Sequence, residues 1–275
     1  MFFEGSEKKL EIVVNSSVPS LRSLGDGFWS EIVQAAQAQI LSQISSDCSL
    51  AYLLSESSLF VWDDRFTMIT CGQTTLVDAA VKFFESVAPE QVESIIYERK
   101  NEYFPHLQHT DFYKDLKILR SKVSGKAYRF GNADEHHVYL FHMDKAFKPH
   151  SNDTTIEILM YGLQGTAQNI FRQEGITAQE IRQQMSVDKI LPGFIIDDHV
   201  FSPFGYSLNA LRGENYYTIH VTPQELGCYV SFETNMPAVD DYAEVTQRVL
   251  EIFQPKSFDI VNFQSAQTSE VEVPH

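Results

Sequence analysis

The amino-acid sequence predicts an α+β fold in which antiparallel sheets carry helices on their outer faces. Ten segments combine β-branched or aromatic residues with alternating polar and apolar positions, which is typical of strands. Four segments show helical spacing or a helix-start motif, but they do not alternate regularly with the strands. Since regular alternation would indicate parallel βαβ units, runs of strands broken by single helices favour antiparallel sheets.

The predicted strands follow one another along the whole chain. They are residues 8–14, 51–56, 65–72, 93–99, 136–143, 154–163, 193–198, 216–223, 228–235 and 257–264. The second strand runs into YLLSESSLFV, where a polar Ser-Glu-Ser-Ser run interrupts an apolar stretch. Either the strand ends there in a turn, or those polar atoms carry chemistry.

The predicted helices lie between groups of strands. They cover residues 27–44 and 74–88, a short segment that starts at Thr177, and residues 240–253. Apolar residues recur every four positions in the first helix, and Thr177 with Glu180 has the spacing of a capping box. Because no linker, repeat or low-complexity segment divides the chain, we expect a single domain over residues 1–275.

The composition excludes several classes of protein. The chain has 21 Lys and Arg against 37 Asp and Glu, a net charge of -16, which argues against a nucleic-acid partner. Its 3 cysteines form no CxxC pair, so we expect a reduced, cytoplasmic protein without disulfides. We also expect no signal peptide, no membrane segment and, despite the His-rich stretch DEHHVYLFHMD, no metal site.

Alternation places acidic side chains on one face of three predicted strands. These side chains are Glu11, Glu157 and Glu233, and Asp153 and Thr155 lie on the side of Glu157. One interpretation is a solvated face. The other is an interior acidic cluster, which would need a cation or a shared proton to be tolerated.

Seven strings occur in a fixed order along the chain. They are FFEGSEKKLEI, YLLSESSLFV, TCGQTTL, YERKN, TIEILMYGL, FGYSLNAL, and YYTIHVTP followed by YVSFETN. Together they resemble the eukaryotic-type S-adenosylmethionine decarboxylases, the pyruvoyl-dependent enzymes of polyamine synthesis. The resemblance runs from Phe2 to about Gln264. It implies an αββα sandwich of two mainly antiparallel sheets, with a C-terminus shorter than is usual for the family.

The resemblance implies that the chain cuts itself between Glu56 and Ser57, which gives chains of residues 1–56 and 57–275. The Ser57 hydroxyl would attack the Glu56 carbonyl, and elimination from the resulting ester would leave a pyruvoyl group at residue 57. That group would form a Schiff base with S-adenosylmethionine and act as its electron sink. From the residues alone, a strand histidine or a free cysteine is more often structural than catalytic.

The family likeness also implies roles for single residues. Cys71 would return the proton to the substrate, whereas Ser207 and His220 would serve self-processing. Glu4 and Glu7 belong to the N-terminal motif at the active site.

The same likeness implies a binding site for the substrate nucleoside. Phe3 and Phe201 would stack on the adenine, and backbone groups of Leu54 and Ser207 would meet the edge of the base. Gln224 stands where the family has a glutamate that holds the ribose hydroxyls. Because a charge-assisted hydrogen bond is roughly twice as strong as a neutral one, either ribose binding is weaker or the substrate lacks this ribose.

A diamine site is a further implication. The residues that match the putrescine site of animal members are Glu11, Asp153, Thr155, Glu157 and Glu233. Ile69 replaces a lysine that animal enzymes keep nearby, and Glu98 replaces a serine, so activation by putrescine stays open. The short C-terminus leaves a sheet edge that a second copy could close, which suggests a homodimer.

Three functions follow from these observations. The leading hypothesis is pyruvoyl-dependent decarboxylation of S-adenosylmethionine to the aminopropyl donor for spermidine and spermine. The second is a related pyruvoyl decarboxylase that acts on another amino acid. The third is a catalytically inactive homologue that regulates a true decarboxylase, although such a protein would have no reason to keep Ser57, Cys71, Ser207 and His220.

Overall fold

The computed structural model describes residues 3–132, 135–149, 153–224, 228–237 and 242–264, and in these ranges two antiparallel sheets lie face to face. The strands of the first sheet are β1 (Lys8–Val14), β2 (Ile40–Ser45), β3 (Leu50–Leu54), β4 (Ser57–Val61), β5 (Arg65–Thr70), β6 (Val92–Lys100), β7 (Gly125–Gly131) and β8 (His137–Met143). Their order across the sheet is β2-β3-β4-β5-β1-β6-β8-β7. The N-terminal strand β1 therefore lies inside the sheet, next to the hairpin that carries Ser57.

The second sheet is built from the C-terminal half of the chain. Its strands are β9 (Thr154–Leu163), β10 (Ile195–Val200), β11 (Tyr206–Arg212), β12 (Asn215–Thr222), β13 (Tyr229–Thr234) and β14 (Pro255–Gln264). Their order is β10-β11-β12-β13-β9-β14, and the paired strands of both sheets run antiparallel. The predicted antiparallel sheets are confirmed.

Helices cover the outer face of each sheet. The helices on the first sheet are α1 (Gly25–Ala35), α2 (Leu76–Phe83) and α3 (Phe112–Arg120), and those on the second are α4 (Gly165–Ile170), α5 (Ala178–Met185) and α6 (Ala243–Phe253). Their apolar faces form two large cores with the outward side chains of the sheets. The arrangement is the αββα sandwich expected from the sequence. Within the described residues, no helix is long and apolar enough to cross a membrane.

Most apolar residues of the strands face the helices, and polar residues face the other sheet beside two smaller apolar clusters, which include Phe60 and Tyr161. On β1, Leu10 and Ile12 belong to the first apolar core, whereas Lys9 pairs with Glu157 of the second sheet. Glu157 and Glu233 are only 1% and 4% exposed. Of the two interpretations of the acidic face, the interior cluster is therefore correct for these two residues.

One predicted helix is wrong at its C-terminal end. The helix predicted over 27–44 ends at Ala35, and Ile40–Ser45 is an edge strand of the first sheet. Gln37 has a φ of 64°, a left-handed conformation in which a helix cannot continue. Apolar residues four apart, such as Ile40 and Ile44, share one face of a strand as well as one face of a helix. Periodicity alone could not separate the two structures.

Other predicted boundaries agree better with the structure. The capping box is confirmed, since the Glu180 N–H donates to Thr177 Oγ1 at 3.2 Å and the Thr177 N–H donates to Glu180 Oε2 at 2.8 Å. The last predicted helix corresponds to α6, and Asp240 and Asp241 at its predicted start lie outside the described residues. Strands β4, β7 and β11 and helices α3 and α4 were not predicted.

Candidate active site

The Ser-Glu-Ser-Ser run forms a tight hairpin turn between β3 and β4. Leu54 pairs with Ser57 across the hairpin, so Ser55 and Glu56 form the turn itself. Ser57 has a φ of 132°, a conformation that residues other than glycine rarely adopt. A backbone held in such a region stores on the order of 1–3 kcal/mol. The strain lies immediately after the Glu56–Ser57 peptide bond.

The carbonyl oxygen of Glu56 faces two donors from Cys71. The backbone N–H of Cys71 donates to it at 3.0 Å, and the Cys71 thiol donates from Sγ at 3.4 Å. Attack of a hydroxyl on this carbonyl carbon would place negative charge on the same oxygen. Donors that are in place before the charge develops are what an oxyanion hole provides. Cys71 can therefore stabilise an attack at the Glu56 carbonyl.

Gly72 allows this close approach and ties it to the N-terminal segment. It has a φ of 65°, and a Cβ at this position would lie 2.9 Å from Glu56 Oε2 and 3.0 Å from the Phe3 ring. The Gly72 N–H donates to the Glu4 carbonyl at 2.8 Å, and its own carbonyl accepts from Lys8 Nζ at 3.1 Å. A side chain at position 72 would therefore meet the Glu56 carboxylate and the Phe3 ring, in a backbone conformation that favours glycine.

His220 of β12 reaches across from the second sheet to Ser57. Ser57 Oγ lies 3.0 Å from Nε2 and 3.2 Å from Nδ1 of the imidazole. Nδ1 lies 2.7 Å from Glu7 Oε1, which also accepts a hydrogen bond from Ser231 at 2.6 Å. The predicted residues Glu7, Ser57 and His220 thus form one hydrogen-bonded group between the two sheets.

Asn209 of β11 organises the other side of the His220 ring. Its Nδ2 donates to the Tyr52 carbonyl at 3.1 Å, which turns Oδ1 toward Ser58 and Thr218. Both hydroxyls donate to Oδ1, at 2.6 and 3.1 Å, and their oxygens lie 2.8 and 3.0 Å from His220 Nε2. These contacts fix the plane of the imidazole next to Ser57.

Glu7 is ionised although it is fully enclosed. Burial alone would raise its pKa, but the charge of Lys100 and hydrogen bonding to His220 and Ser231 outweigh burial and lower the pKa to about 2. Lys100 Nζ lies 3.2 Å from Glu7 Oε2. A carboxylate that stays charged at neutral pH can orient the imidazole through its contact with Nδ1.

The Cys71 thiol and the Glu56 carboxyl, which lie next to the strained turn, have raised pKa values, whereas the pKa of Glu7 is lowered. Burial, with help from Glu56, raises the pKa of the Cys71 thiol well above its usual value. Burial also raises the pKa of Glu56 to about 7, against the attraction of Lys8. The thiol therefore keeps its proton at neutral pH, which suits a proton donor better than a nucleophile.

A cavity of about 690 Å³ opens beside these groups, a size that is typical of sites for small molecules. Its lining includes the predicted residues Phe3, Glu56, Ser57, Cys71, Phe201, Ser207, His220 and Gln224. Ser207 pairs directly with His220 across β11 and β12. Strands from both sheets and the N-terminal segment thus bring most of the predicted site residues to one place.

Three residues predicted for catalysis or substrate binding do not line the cavity: Glu7, which contacts His220, and also Glu4 and Leu54. The Glu4 carboxylate accepts the backbone N–H of Phe104 at 3.0 Å and that of Ser6 at 3.4 Å, so it holds a neighbouring loop. The Leu54 side chain is buried in the apolar core under the helices. What brings Leu54 near the site is its backbone, which pairs with Ser57.

The residues predicted for a diamine site have cationic partners within the chain. Lys9 Nζ lies 2.8 Å from Glu157 Oε1 and 3.0 Å from Glu233 Oε1, and Lys100 Nζ lies 3.2 Å from Glu157 Oε2. Arg65 Nη1 pairs with Asp153 Oδ1 at 2.7 Å. Thr155 and Glu11 line two cavities beside this cluster.

These ion pairs divide the buried carboxyls into charged and neutral groups. Burial would raise the pKa of Glu157, but Lys100 and Lys9 lower it to about 2. Burial, reinforced by Glu157, raises the pKa of Glu98 to about 8, and neither Glu98 oxygen has a hydrogen-bond partner among the described residues. Glu98 is the backbone partner of Lys9 across β1 and β6, so these two buried ionisable residues occupy adjacent positions of the first sheet.

Sequence reasoning missed several residues of the site. Asn209 was missed because β11 was not predicted as a strand, although Ser207 and Asn209 have the spacing of one strand face. Thr218 and Ser231 lie on the polar faces that alternation had identified. Lys9 and Lys100 gave no local signal, because their partners lie far away in the sequence.

A strained turn with oxyanion donors beside a cavity is typical of a self-cleaving protein. Comparisons with known proteins agree with this class. A family model described as adenosylmethionine decarboxylase matches residues 1–274. The chain belongs to the adenosylmethionine decarboxylase family. The cofactor of this family is a covalently bound pyruvoyl group that is formed from a serine.

Curated relatives from distant eukaryotes are similar over almost the whole chain. The S-adenosylmethionine decarboxylase proenzyme of Trypanosoma cruzi is 37% identical over 95% of this chain and 75% of its own length. The proenzyme of Dictyostelium discoideum is 36% identical over 93% and 73%, and that of Xenopus laevis 33% over 94% and 82%. A crystal structure of Trypanosoma brucei AdoMetDC-delta26 monomer matches with a TM-score of 0.59 and 29% identity, over 74% of this chain and 78% of that one.

Proposed function

We propose that this chain is a self-cleaving proenzyme that decarboxylates S-adenosylmethionine and so makes the aminopropyl donor for polyamine synthesis. The observation that carries the proposal is the strained Ser57, which follows a carbonyl held by Cys71 and opens on a nucleoside-sized cavity. Its 3 cysteines, all of them free, suit a reducing compartment such as the cytoplasm.

Cleavage begins when Ser57 Oγ attacks the carbonyl carbon of Glu56. Collapse of the tetrahedral stage breaks the C–N bond, the nitrogen takes up a proton, and an ester joins Glu56 to Ser57 Oγ. Removal of the Ser57 Cα proton then expels the Glu56 carboxylate and leaves dehydroalanine, with His220 as the base in reach. Hydrolysis releases ammonia and leaves the pyruvoyl group on residue 57, so the products are residues 1–56 and 57–275.

The decarboxylation uses the same cavity. The pyruvoyl carbonyl supplies an electron sink for the charge that departing carbon dioxide leaves behind. Cys71, a protonated thiol that lines the cavity, returns a proton to the substrate α-carbon.

The rest of the cavity binds the nucleoside. Phe3 and Phe201 stack on the adenine, and their ring faces also attract the positively charged sulfonium. The Leu54 backbone and Ser207 meet the base edge, and Gln224 hydrogen-bonds the ribose hydroxyls as a neutral group.

The interior acidic cluster needs no diamine to be neutralised. Lys9 and Lys100 supply ammonium groups at 2.8–3.2 Å from Glu157 and Glu233, and Arg65 occupies Asp153. Burial also raises the pKa values of Glu98 and Glu233, to about 8 and about 7, which further reduces the negative charge that putrescine would offset. Self-processing therefore proceeds without putrescine.

A second copy of the chain covers the edge strand β14. This strand lies at one end of the second sheet, and its Phe258 and Ile260 are 44% and 48% exposed. Exposed apolar residues on an unpaired strand edge favour pairing with another strand. Sedimentation that gives one 31.4 kDa protomer at micromolar concentration would exclude the homodimer.

Release of labelled carbon dioxide tests the proposed function. Purified protein is supplied with carboxyl-labelled S-adenosylmethionine, ornithine or arginine, and Ser57→Ala is the matched inactive control. We expect release from S-adenosylmethionine only, and none from the variant. Release from another amino acid instead would favour the alternative that Gln224 suggests, and cleaved protein that releases nothing would favour an inactive regulatory homologue.

A further inference from the structure

Arg172 connects the second sheet's helical layer to the wall of the active-site cavity. Its Nε donates to the Pro223 carbonyl at 2.7 Å, and its Nη2 donates to the Gln224 carbonyl at 2.6 Å. All three residues line the cavity that contains Ser57 and His220. A planar guanidinium that holds two successive carbonyls restricts the backbone more than a single ammonium can.

The position of Arg172 is itself fixed by packing. The preceding residue, Phe171, is buried at the end of α4 and stacks on Phe253 of α6 with a centroid distance of 5.9 Å. The same ring contacts Tyr206 of β11 at 5.8 Å. Since Phe171 anchors the backbone, the guanidinium reaches the turn from a rigid base.

We infer that Arg172 is a positioning and specificity-determining residue, which holds Gln224 toward the nucleoside and requires a neutral side chain at position 224. The inference rests on the proposed function, where Gln224 meets the ribose. It adds a residue to that site and explains why an amide stands there.

The charge of Arg172 accounts for the neutral partner. The Arg172 guanidinium carries a positive charge, and its Nη2 already lies 2.6 Å from the Gln224 carbonyl oxygen. A carboxylate on that residue would be drawn into a charge-assisted pair with Arg172. It would then turn away from the ribose and pull the guanidinium off the two carbonyls. An amide carries no charge and leaves both interactions intact.

Binding of 5′-deoxy-5′-methylthioadenosine, measured by calorimetry, tests the inference without requiring turnover. This nucleoside carries the adenosine part of the substrate, and its 2′-deoxy analogue lacks one ribose hydroxyl. We expect Arg172→Met to weaken binding of the ribose form on the order of tenfold and to remove the preference over the deoxy form. Arg172→Lys should recover part of the loss, since an ammonium can hold one carbonyl.

Arg248→Met is the matched control, because Arg248 likewise donates to the backbone carbonyl of Ile190 at 2.5 Å but does not line the cavity. It should leave nucleoside binding unchanged. In the same assay, Gln224→Glu should weaken binding when Arg172 is present and strengthen it in the Arg172→Met background. Such a change of sign measures the coupling of the two positions.

Three results would overturn the inference. Arg172→Met could bind the nucleoside as tightly as the wild type, or Arg172→Met and Arg248→Met could lose equal affinity. The effects of Arg172→Met and Gln224→Glu on affinity could also be additive. No nucleoside binding by the wild-type protein would overturn it as well. Failure of the proposed function appears differently, as a wild-type protein that binds the nucleoside but releases no carbon dioxide from S-adenosylmethionine.

Discussion

At the scale of single residues, the proposed chemistry depends on a strained backbone at Ser57 and a protonated thiol at Cys71. The φ of 132° at Ser57 raises the energy of the intact turn, and the Cys71 N–H at 3.0 Å lowers the energy of the charge that attack creates. The nearer of the two donors to the Glu56 carbonyl is a backbone group, which side-chain substitution leaves in place. The thiol is free for a different step.

Cys71→Ala separates these two roles. The variant keeps its backbone N–H on the Glu56 carbonyl, so we expect it to cleave at a rate close to that of the wild type. It loses the proton donor, so kcat for decarboxylation should fall on the order of 100-fold or more. Denaturing gels follow cleavage and labelled carbon dioxide follows turnover. A cleaved variant with full activity would remove Cys71 from the proton-donor role.

At the scale of elements, β1 links the active site to the interior ion cluster. Glu7, immediately before the strand, holds His220, and Lys9 within it holds Glu157 and Glu233. Lys100 at the end of β6 bridges Glu7 and Glu157 at 3.2 Å each. Lys100 and Glu7 therefore connect the interior ion cluster to the His220 imidazole.

Putrescine should have no effect on the wild-type protein, because Lys9 already supplies the ammonium between Glu157 and Glu233. Lys9→Ala leaves both carboxylates without that partner, so its cleavage should be slow and should accelerate when putrescine is added. Lys82→Ala, which removes a surface ion pair with Glu85, serves as the control. The measurement is the cleavage rate with and without millimolar putrescine. Faster cleavage of the wild type with putrescine would contradict the role of Lys9 as the ammonium between Glu157 and Glu233.

The elements also mark how far the sequence alone leads. Strands with clear alternation, such as β1, β9, β12 and β13, were predicted together with the faces that carry Glu157, His220 and Glu233. The change from helix α1 to strand β2 was not predicted, because apolar residues four positions apart suit both structures. The left-handed conformation of Gln37 separates the two elements. Ion pairs such as Lys9 with Glu157 depend on contacts 148 residues apart in the chain, which no local pattern encodes.

At the scale of the whole molecule, the interface between the two sheets buries polar and charged groups, including Ser57 and His220, beside two small apolar clusters. Each sheet buries its apolar face under its own helices, so the interface can accept charges that a single apolar core would exclude. After cleavage, residues 1–56 would keep β1 between β5 and β6, and β3 beside β4. The two products should therefore stay associated without a covalent link.

Intact-mass analysis of the purified, denatured protein tests whether the chain cuts itself between Glu56 and Ser57. We expect two chains, residues 1–56 and 57–275. The N-terminus of the larger chain should be a pyruvoyl group, which resists Edman degradation. Ser57→Ala should remain one chain. A wild-type protein that stays a single 31.4 kDa chain, or that breaks at any other bond, would contradict the account.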